Sequence, residues 1–281
     1  MVERRPVLDF ITHLVLILGI AVVAFPVYLT FVASTLTAEQ VLDAPMTLIP
    51  GSHLIENYRS VLFQGVGEAA SPVSTMMKNS LIMALGIALG KIAISIISAF
   101  AIVYFRFPLR KTFFWMIFVT LMLPVEVRIL PTYKVVSDLG MLDSYFGLTI
   151  PIIASATATF LFRQFFLTIP DELAEAARID GAGPLRFFWD VVLPLSRTSI
   201  AALFVIQFIY GWKQYLWPLL VTTKQDFYTV VMTVSRQANV VDAVPSWNLL
   251  MAMAMLAMLP PVAVVVFMQR LFVRGLVETE K

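Results

Sequence analysis

"EAARIDGAGPLRFFWDVVLPL", residues 175–195, breaks an otherwise oily chain with charges, glycines and prolines. Widened to 163–197, the stretch carries nine ionisable groups: Arg163, Asp171, Glu172, Glu175, Arg178, Asp180, Arg186, Asp190 and Arg197. Placing so many charges in hydrocarbon costs about 2.5–3.5 kcal/mol apiece. The stretch therefore marks a place where the chain leaves a membrane. Its local signals still predict order. Thr168-Ile-Pro-Asp171 fits a capping box, with Pro170 tolerated in the first turn. A helix then runs through 172–180 and stops at Gly181, a residue suited to the left-handed C-terminal position. Gly183-Pro184 restarts a second short helix that ends near Pro194.

On the first of these helices, the 3.6-residue period puts Leu173, Ala176, Ala177 and Asp180 on one face. The small alanines let another surface approach closely. Glu175 and Arg178, three apart, pair with each other or with a partner. An acid/base reading of Glu172, Glu175, Asp180 and Asp190 lacks a histidine, an activated nucleophile and a metal-ligand set. A solvated connector and a docking element both remain open on local chemistry.

The rest of the chain explains why such a stretch stands out. The 281 residues are 59% hydrophobic and 14% charged, with mean hydropathy +0.87. Soluble domains are about a quarter charged, so this is a membrane protein. Six runs approach the roughly 20 apolar residues a bilayer requires. They cover 14–33, 79–105, 112–133, 144–162, 198–223 and 247–269, the last reaching back to Ala243. Lipid offers unpaired backbone no partner, so all six are predicted to be helices. The third is the most polar, passing through Glu126 and Arg128 between Pro124 and Pro131. The first follows Arg4 and Arg5, and its 20-residue apolar core is longer than that of a cleaved signal, so it is read as a retained span. No repeat or linker divides the chain, which is read as one domain over 1–281.

Lys and Arg set the orientation. With the N-terminus inside, 12 of the 20 cations fall in inner segments and 6 in outer ones, leaving Lys91 and Lys213 within spans. Both termini and 163–197 are therefore expected on the cytoplasmic side, and 35–78 outside.

There is no cysteine, which excludes a disulfide framework, cysteine-ligated metal and a thiol nucleophile. A net charge of +2 is too small to argue for nucleic acid. His13 and His53 have no ligand-like company and read as structural. The cluster Met251, Met253, Met255 and Met258 reads as adaptable packing. Gly86-Ile-Ala-Leu-Gly90-Lys91 is one residue short of a phosphate-binding loop and lies inside an apolar helix; Gly86 and Gly90 read better as a small-xxx-small packing face. Pro260-Pro261 is expected to kink the last helix.

Glu175-Ala-Ala, Gly181 and Val191-x-Leu193-Pro194 together resemble the EAA loop of binding-protein-dependent ABC importer permeases. The similarity extends along the chain through "ENY" at 56–58, "KNSL" at 78–81, "LPVEVRILPTY" at 123–133, "GLTIPIIA" at 147–154 and "YGWKQYLWPLL" at 210–220. These are blocks of the carbohydrate-type, maltose-G-like permeases. The resemblance implies an all-α integral membrane protein with six transmembrane helices, the type I importer fold, and its cytoplasmic EAA loop between the fourth and fifth. It implies a heterodimer with a second permease subunit, an ABC ATPase dimer below and a periplasmic solute-binding protein above, in the bacterial inner membrane. It also implies that Glu175, Ala176, Ala177, Asp180, Gly181 and Ala182 couple the chain to the ATPase. No cofactor is expected in this chain, since ATP and magnesium belong to the partner. "FRFPLRKTFFWMIFVTLMLPVEVRI" and "FVRGLVETEK" are similar to the glycerol-3-phosphate branch of the family, which implies that cargo. A glycerophosphodiester or a neutral sugar is the alternative.

Ionisable groups within spans are costly and draw functional suspicion. Lys91, Arg128 and Lys213, with Trp212 and Gln214, are candidates for the path of a phosphate ester, which needs cations and hydrogen-bond donors. Each has a bland counterpart: Lys91 against a partner subunit, Glu126 neutralising Arg128, Trp212 as packing. The family often has asparagine after this tryptophan, so Lys213 departs from the pattern. An ion-coupled secondary transporter would need membrane carboxylates, of which Glu126 is the one candidate. A membrane enzyme would need a convergent polar constellation that the sequence does not supply.

Overall fold

The computed structural model describes residues 6–65, 71–120, 125–239 and 245–277. Arg4, Arg5, Pro124 and Lys281 lie outside the described residues, as do the side chains of Glu126, Arg270 and Arg274. Among the described residues every regular element is helical. In order these are α1 (Pro6–Ser34), α2 (Ala38–Leu42), α3 (Leu54–Phe63), α4 (Val73–Tyr104), α5 (Arg110–Val119), α6 (Val125–Asp138), α7 (Tyr145–Thr149) and α8 (Ala156–Phe166). Then follow α9 (Asp171–Ile179), α10 (Pro184–Phe187), α11 (Leu193–Leu195), α12 (Arg197–Trp212), α13 (Leu216–Val221), α14 (Val230–Ala238) and α15 (Trp247–Val277).

Three stretches are long and apolar enough to cross a bilayer as single helices: Val7–Ser34, Val73–Tyr104 and Trp247–Gln269. Two bent pairs bring the number to as many as five. Tyr145–Ile152 joins Ala156–Phe166 at 49°, and Pro184–Leu195 joins Arg197–Trp212 at 71°. The first bend falls where Pro151 enters a 3-10 turn and Ser155 caps α8, its hydroxyl accepting the Ala158 amide at 3.3 Å. Of the span expected over 112–133, α5 and α6 are described, and 121–124 between them lie outside the described residues.

The span expected over 198–223 is corrected: α12 ends at Trp212, and a second short helix, α13, begins at Leu216. Proline explains the break. Within a continuous helix Pro218 would lose its hydrogen bond and press on the carbonyl of Gln214. Breaking at Lys213 puts Pro218 in the first turn of α13, where no amide is needed. The expected kink at Pro260-Pro261 does not interrupt α15, whose helix continues through both prolines.

The chain forms two compact units. One comprises 1–74 and 233–258. Its core gathers Val32, Leu36, Val61 and Met253 around a buried polar knot. Asn57 Nδ2 donates to the carbonyls of Ser34 (2.9 Å) and Leu36 (2.8 Å), and Asn248 donates to Asn57 Oδ1 at 3.3 Å. Thr37 and Gln40 form a capping box at the start of α2. The apolar side chains of α1 from Val7 to Val27 stay exposed, as a lipid-facing helix requires.

The other unit comprises 75–232 and 259–281. Gly86 and Gly90 form the expected packing face: a methyl on Gly86 would meet Thr149 Cγ2 at 2.9 Å, and one on Gly90 would meet Ile153 Cγ2 at 2.6 Å. Small residues here let the side chains of Thr149 and Ile153 pack directly on the α4 backbone.

Candidate functional site

α9 forms because its ends agree with the helix dipole: Asp171 and Glu172 sit in the first turn, Arg178 in the last. Its C-terminus is a Schellman closure. The Ala182 amide donates to the Ala177 carbonyl at 2.8 Å and the Gly181 amide to Arg178 at 3.0 Å, with Gly181 at φ +74°. Pro184 then opens α10, and five residues of π-helical turn (Phe188–Val192) carry the chain to α11. Such turns are frequent at functional sites.

The expected capping box is corrected. Helix α9 starts at Asp171, so Pro170 occupies the cap position and supplies no side-chain bond. Thr168 instead closes α8, its hydroxyl donating to the Phe165 carbonyl at 2.7 Å. The face expected to admit another surface divides between the chain's own interior and its exterior. Ala177 is buried and Ala174 and Ala182 are half-buried, whereas Leu173, Ala176 and Asp180 are exposed. Rings decide this, because Phe100 and Tyr104 of α4 and Phe187 of α10 wall a cleft of about 150 Å³ around Ala174 and Ala177. Tyr104 lies 5.1 Å from Phe187 and 6.1 Å from Phe166, and Phe100 lies 4.9 Å from Phe188, ring centre to ring centre. The ion pair that forms in the loop is Arg186–Asp190 at 3.2 Å. Glu175 and Arg178 both point to solvent-exposed surface and are not joined among the described residues.

The loop's outer surface is apolar as well as charged. Ile179 is 86% exposed, Leu185 74% and Trp189 62%, beside exposed Glu175, Ala176 and Asp180. Large apolar side chains mixed with charge are what a protein partner covers.

The candidate path residues are not gathered into one site. Lys91 is buried on α4, its ammonium 3.6 Å from the centre of the Tyr210 ring. A cation on an aromatic face is stabilised without a carboxylate. Arg128 is exposed on α6. Trp212 is buried and stacks on Phe208 at 5.9 Å, as the packing reading expects. Lys213 is exposed at the α12 break, and Gln214 beside it donates to the Tyr210 carbonyl at 3.3 Å. Among the described residues no group of three or more His, Asp or Glu side chains could hold a metal.

Sequence reasoning missed a polar junction at the start of α4. Asn79, 1% exposed, donates to the carbonyls of Asp226 (2.7 Å) and Tyr228 (3.0 Å) and accepts from the Tyr145 hydroxyl (2.8 Å). Ser80 Oγ accepts the Val230 amide at 2.9 Å. The Asp143 carboxylate accepts from the Thr223 amide (2.6 Å), the Thr223 hydroxyl (2.7 Å) and the Lys224 amide (2.8 Å). Partial burial pulls the Asp143 carboxyl upward, but these bonds and the Lys224 charge outweigh it and hold the group below its usual range. Trp217 Nε1 donates to the Gly147 carbonyl at 3.1 Å. The signals were the "KNSL" and "YGWKQYLWPLL" blocks, which carried no role until their partners were visible.

This all-helical frame, with three to five candidate membrane helices, agrees with comparison to known proteins. Residues 91–278 match the model of the binding-protein-dependent transport system inner membrane component, and the chain belongs to that family: it is an inner-membrane permease of ABC importers, not an enzyme. Membership implies ATPase and binding-protein partners. Among relatives, the "sn-glycerol-3-phosphate transport system permease protein UgpE" of Brucella melitensis is 62% identical over all of both chains. Those of Agrobacterium fabrum and Escherichia coli are 61% and 60% identical, again over the whole of each. A bacterial ABC transporter involved in the import of the acidic polysaccharide alginate, solved by crystallography, superposes with TM-score 0.81 at 20% identity. The match covers 96% of this chain and 99% of that one, and it shows the fold.

Proposed function

We propose that this chain is the permease subunit that moves sn-glycerol-3-phosphate, or a glycerophosphodiester, from periplasm to cytoplasm by alternating access. The observation that carries the reading is 60–62% identity, end to end, to proteins named for that transport. In this reading 1–281 is one permease domain of six spans with both termini cytoplasmic, and 163–197 is the coupling loop. A second permease subunit completes the pathway, and a solute-binding protein delivers the cargo. ATP and magnesium are used by an ATPase dimer that grips Glu175, Ala176, Asp180 and Gly181. Ala177 and Ala182 seat the loop on its own bundle.

The geometry supports a lever. A close-packed interior transmits displacement. A push on α9 therefore reaches Phe187 and Phe188, and through them Phe100 and Tyr104 on α4. Because α4 also carries Lys91, the lever and a buried cation share one rigid element. Lys91, Arg128, Lys213, Trp212 and Gln214 are the residues proposed to meet the phosphate ester, Lys91 as the desolvated charge and Lys213 as a cation at the helix break.

The test is ATPase activity of the reconstituted complex with its binding protein. Stimulation by sn-glycerol-3-phosphate or its diesters is expected, and stimulation by neutral sugars alone would overturn the cargo. Uphill uptake by this chain without any ATPase would overturn the mechanism. For the path, Lys213→Ala is expected to raise the apparent KM for an anionic cargo, whereas unchanged kinetics would return Lys213 to a structural role.

A further inference from the structure

A second cationic cluster shares no lining residue with the α9–α10 cleft or with the residues assigned to the cargo, although it includes Arg163, the first residue of the 163–197 stretch. Between α5 and α8 runs a groove of about 350 Å³ ringed by Arg110, Lys111 and Arg163. Its floor is aromatic: Phe114 is buried, and Phe118 packs on Phe160 with ring centres 5.5 Å apart. Two of the cations are held in place by the fold. The Arg163 guanidinium lies 4.3 Å from the Phe114 ring centre, and its Nη1 donates to Gln164 at 3.2 Å. Arg110 Nη1 donates to the Phe105 carbonyl at 3.2 Å. A guanidinium has five donors, so both keep donors free for another acceptor.

Among the described residues none of the three forms an ion pair. No aspartate or glutamate occurs in 69–125 or in 144–170, the segments that build the groove. Arg106 adds a further cation four residues before Arg110. The flank of the cluster is apolar and outward: Trp115 is 57% exposed and Met116 60%. Cations beside an outward aromatic flank, next to an apolar helix, are the pattern of a membrane–water interface. Basic pockets between helices at that level bind anionic lipid heads.

We propose that this groove seats the phosphodiester of an anionic phospholipid, with Arg110, Lys111 and Arg163 around the phosphate and the Trp115 flank of α5 against the acyl region. A soluble phosphate ester offers the same anion, but it has no use for the apolar flank. The proposal stands whichever cargo is carried.

The test uses the assembled transporter in nanodiscs of phosphatidylcholine doped with phosphatidylglycerol. The readout is phosphatidylglycerol retained per complex after a detergent wash, measured by mass spectrometry. Wild type is expected to be enriched over the bulk lipid ratio. Lys111→Gln, an exposed substitution, is expected to lower retention roughly fivefold, and the triple Arg110→Gln/Lys111→Gln/Arg163→Gln by more than about tenfold. Lys134→Gln, outside the groove, is expected to change nothing. Equal retention by wild type and Lys111→Gln overturns the proposal even if the triple variant fails to assemble. Displacement of the lipid by inorganic phosphate or sn-glycerol-3-phosphate would assign the groove to a soluble ester instead. Loss of a partner subunit with unchanged lipid would make it a protein contact.

Discussion

Helix α4 is held at its two ends by different forces. Asn79 and Tyr104 are separated by 25 residues, or about 38 Å of helix rise. Around Asn79 the contacts are hydrogen bonds to backbone, to Asp226, Tyr228 and, through Ser80, Val230. Around Tyr104 they are rings and alanine methyls. Hydrogen bonds are directional and costly to break when buried, so the Asn79 junction holds one arrangement. Apolar packing is non-directional, so the loop end tolerates small shifts while staying in contact. Their surfaces differ in the same sense. The polar junction pairs Asn79 and Ser80 with groups of the chain itself, whereas the loop leaves Ile179, Leu185 and Trp189 uncovered. One end is built as an anchor and the other as a joint.

The comparison is tested hardest at the joint. Phe187→Ala removes a buried ring and is expected to cost about 3 kcal/mol of stability. If the rings transmit motion, the variant complex should also keep basal ATPase activity while losing stimulation by substrate. A variant with full stimulation would show that the ring contact is packing alone.

At the anchor, Asn79→Ala strips three hydrogen bonds from a buried position and strands the Asp226 and Tyr228 carbonyls. The expected loss is about 1–3 kcal/mol, read as a lower midpoint of thermal unfolding of the solubilised complex. An unchanged midpoint would mean that the junction does not anchor α4.

Gly181 separates backbone strain from packing, because nothing lies within 4 Å of the position a Cβ would take. Gly181→Val forces a branched residue into φ +74°, at roughly 1–2 kcal/mol, whereas Gly181→Asn is tolerated better. Uptake by the valine variant is expected to fall on the order of tenfold with membrane insertion unchanged. Equal uptake by the two variants would remove the turn from the coupling mechanism.

The smallest effect is expected at Asp143. Its carboxyl is held below the ordinary value in the folded chain, so it binds protons less readily there than when unfolded. The stability it contributes is therefore present above about pH 4, the unfolded value, and is lost as pH falls through the depressed folded value. Asp143→Asn should flatten this acid limb of the stability profile. An identical acid limb in both proteins would mean that the Thr223 and Lys224 bonds do not favour the ionised form.

Much of this was legible in the residues. The apolar runs of α1, α4 and α15 announced themselves by length, the glycine pair 86/90 by spacing, and the turn at Gly181 by the residue that can adopt it. The side of α9 that is buried was not legible. Ala174, Ala176 and Ala177 are chemically alike, and the choice among them belongs to rings on α4 and α10 that are distant in sequence. The break at Lys213 was half legible: Pro218 signalled it, but the hydropathy of 198–223 concealed it. Nothing in the sequence around Asp143 singles it out, because its partners lie 80 residues further along.

The sequence by itself determined a membrane-embedded chain of apolar helices interrupted by a folded, charged stretch. Hydropathy, glycine at positive φ and proline's missing amide are properties of a residue and its near neighbours. Tertiary structure alone decided which alanines face inward, which cation rests on Tyr210, and which loops Asn79 and Asp143 tie down. Those outcomes depend on what lies across the gap, and burial and hydrogen bonding act between residues that the order of the chain keeps apart.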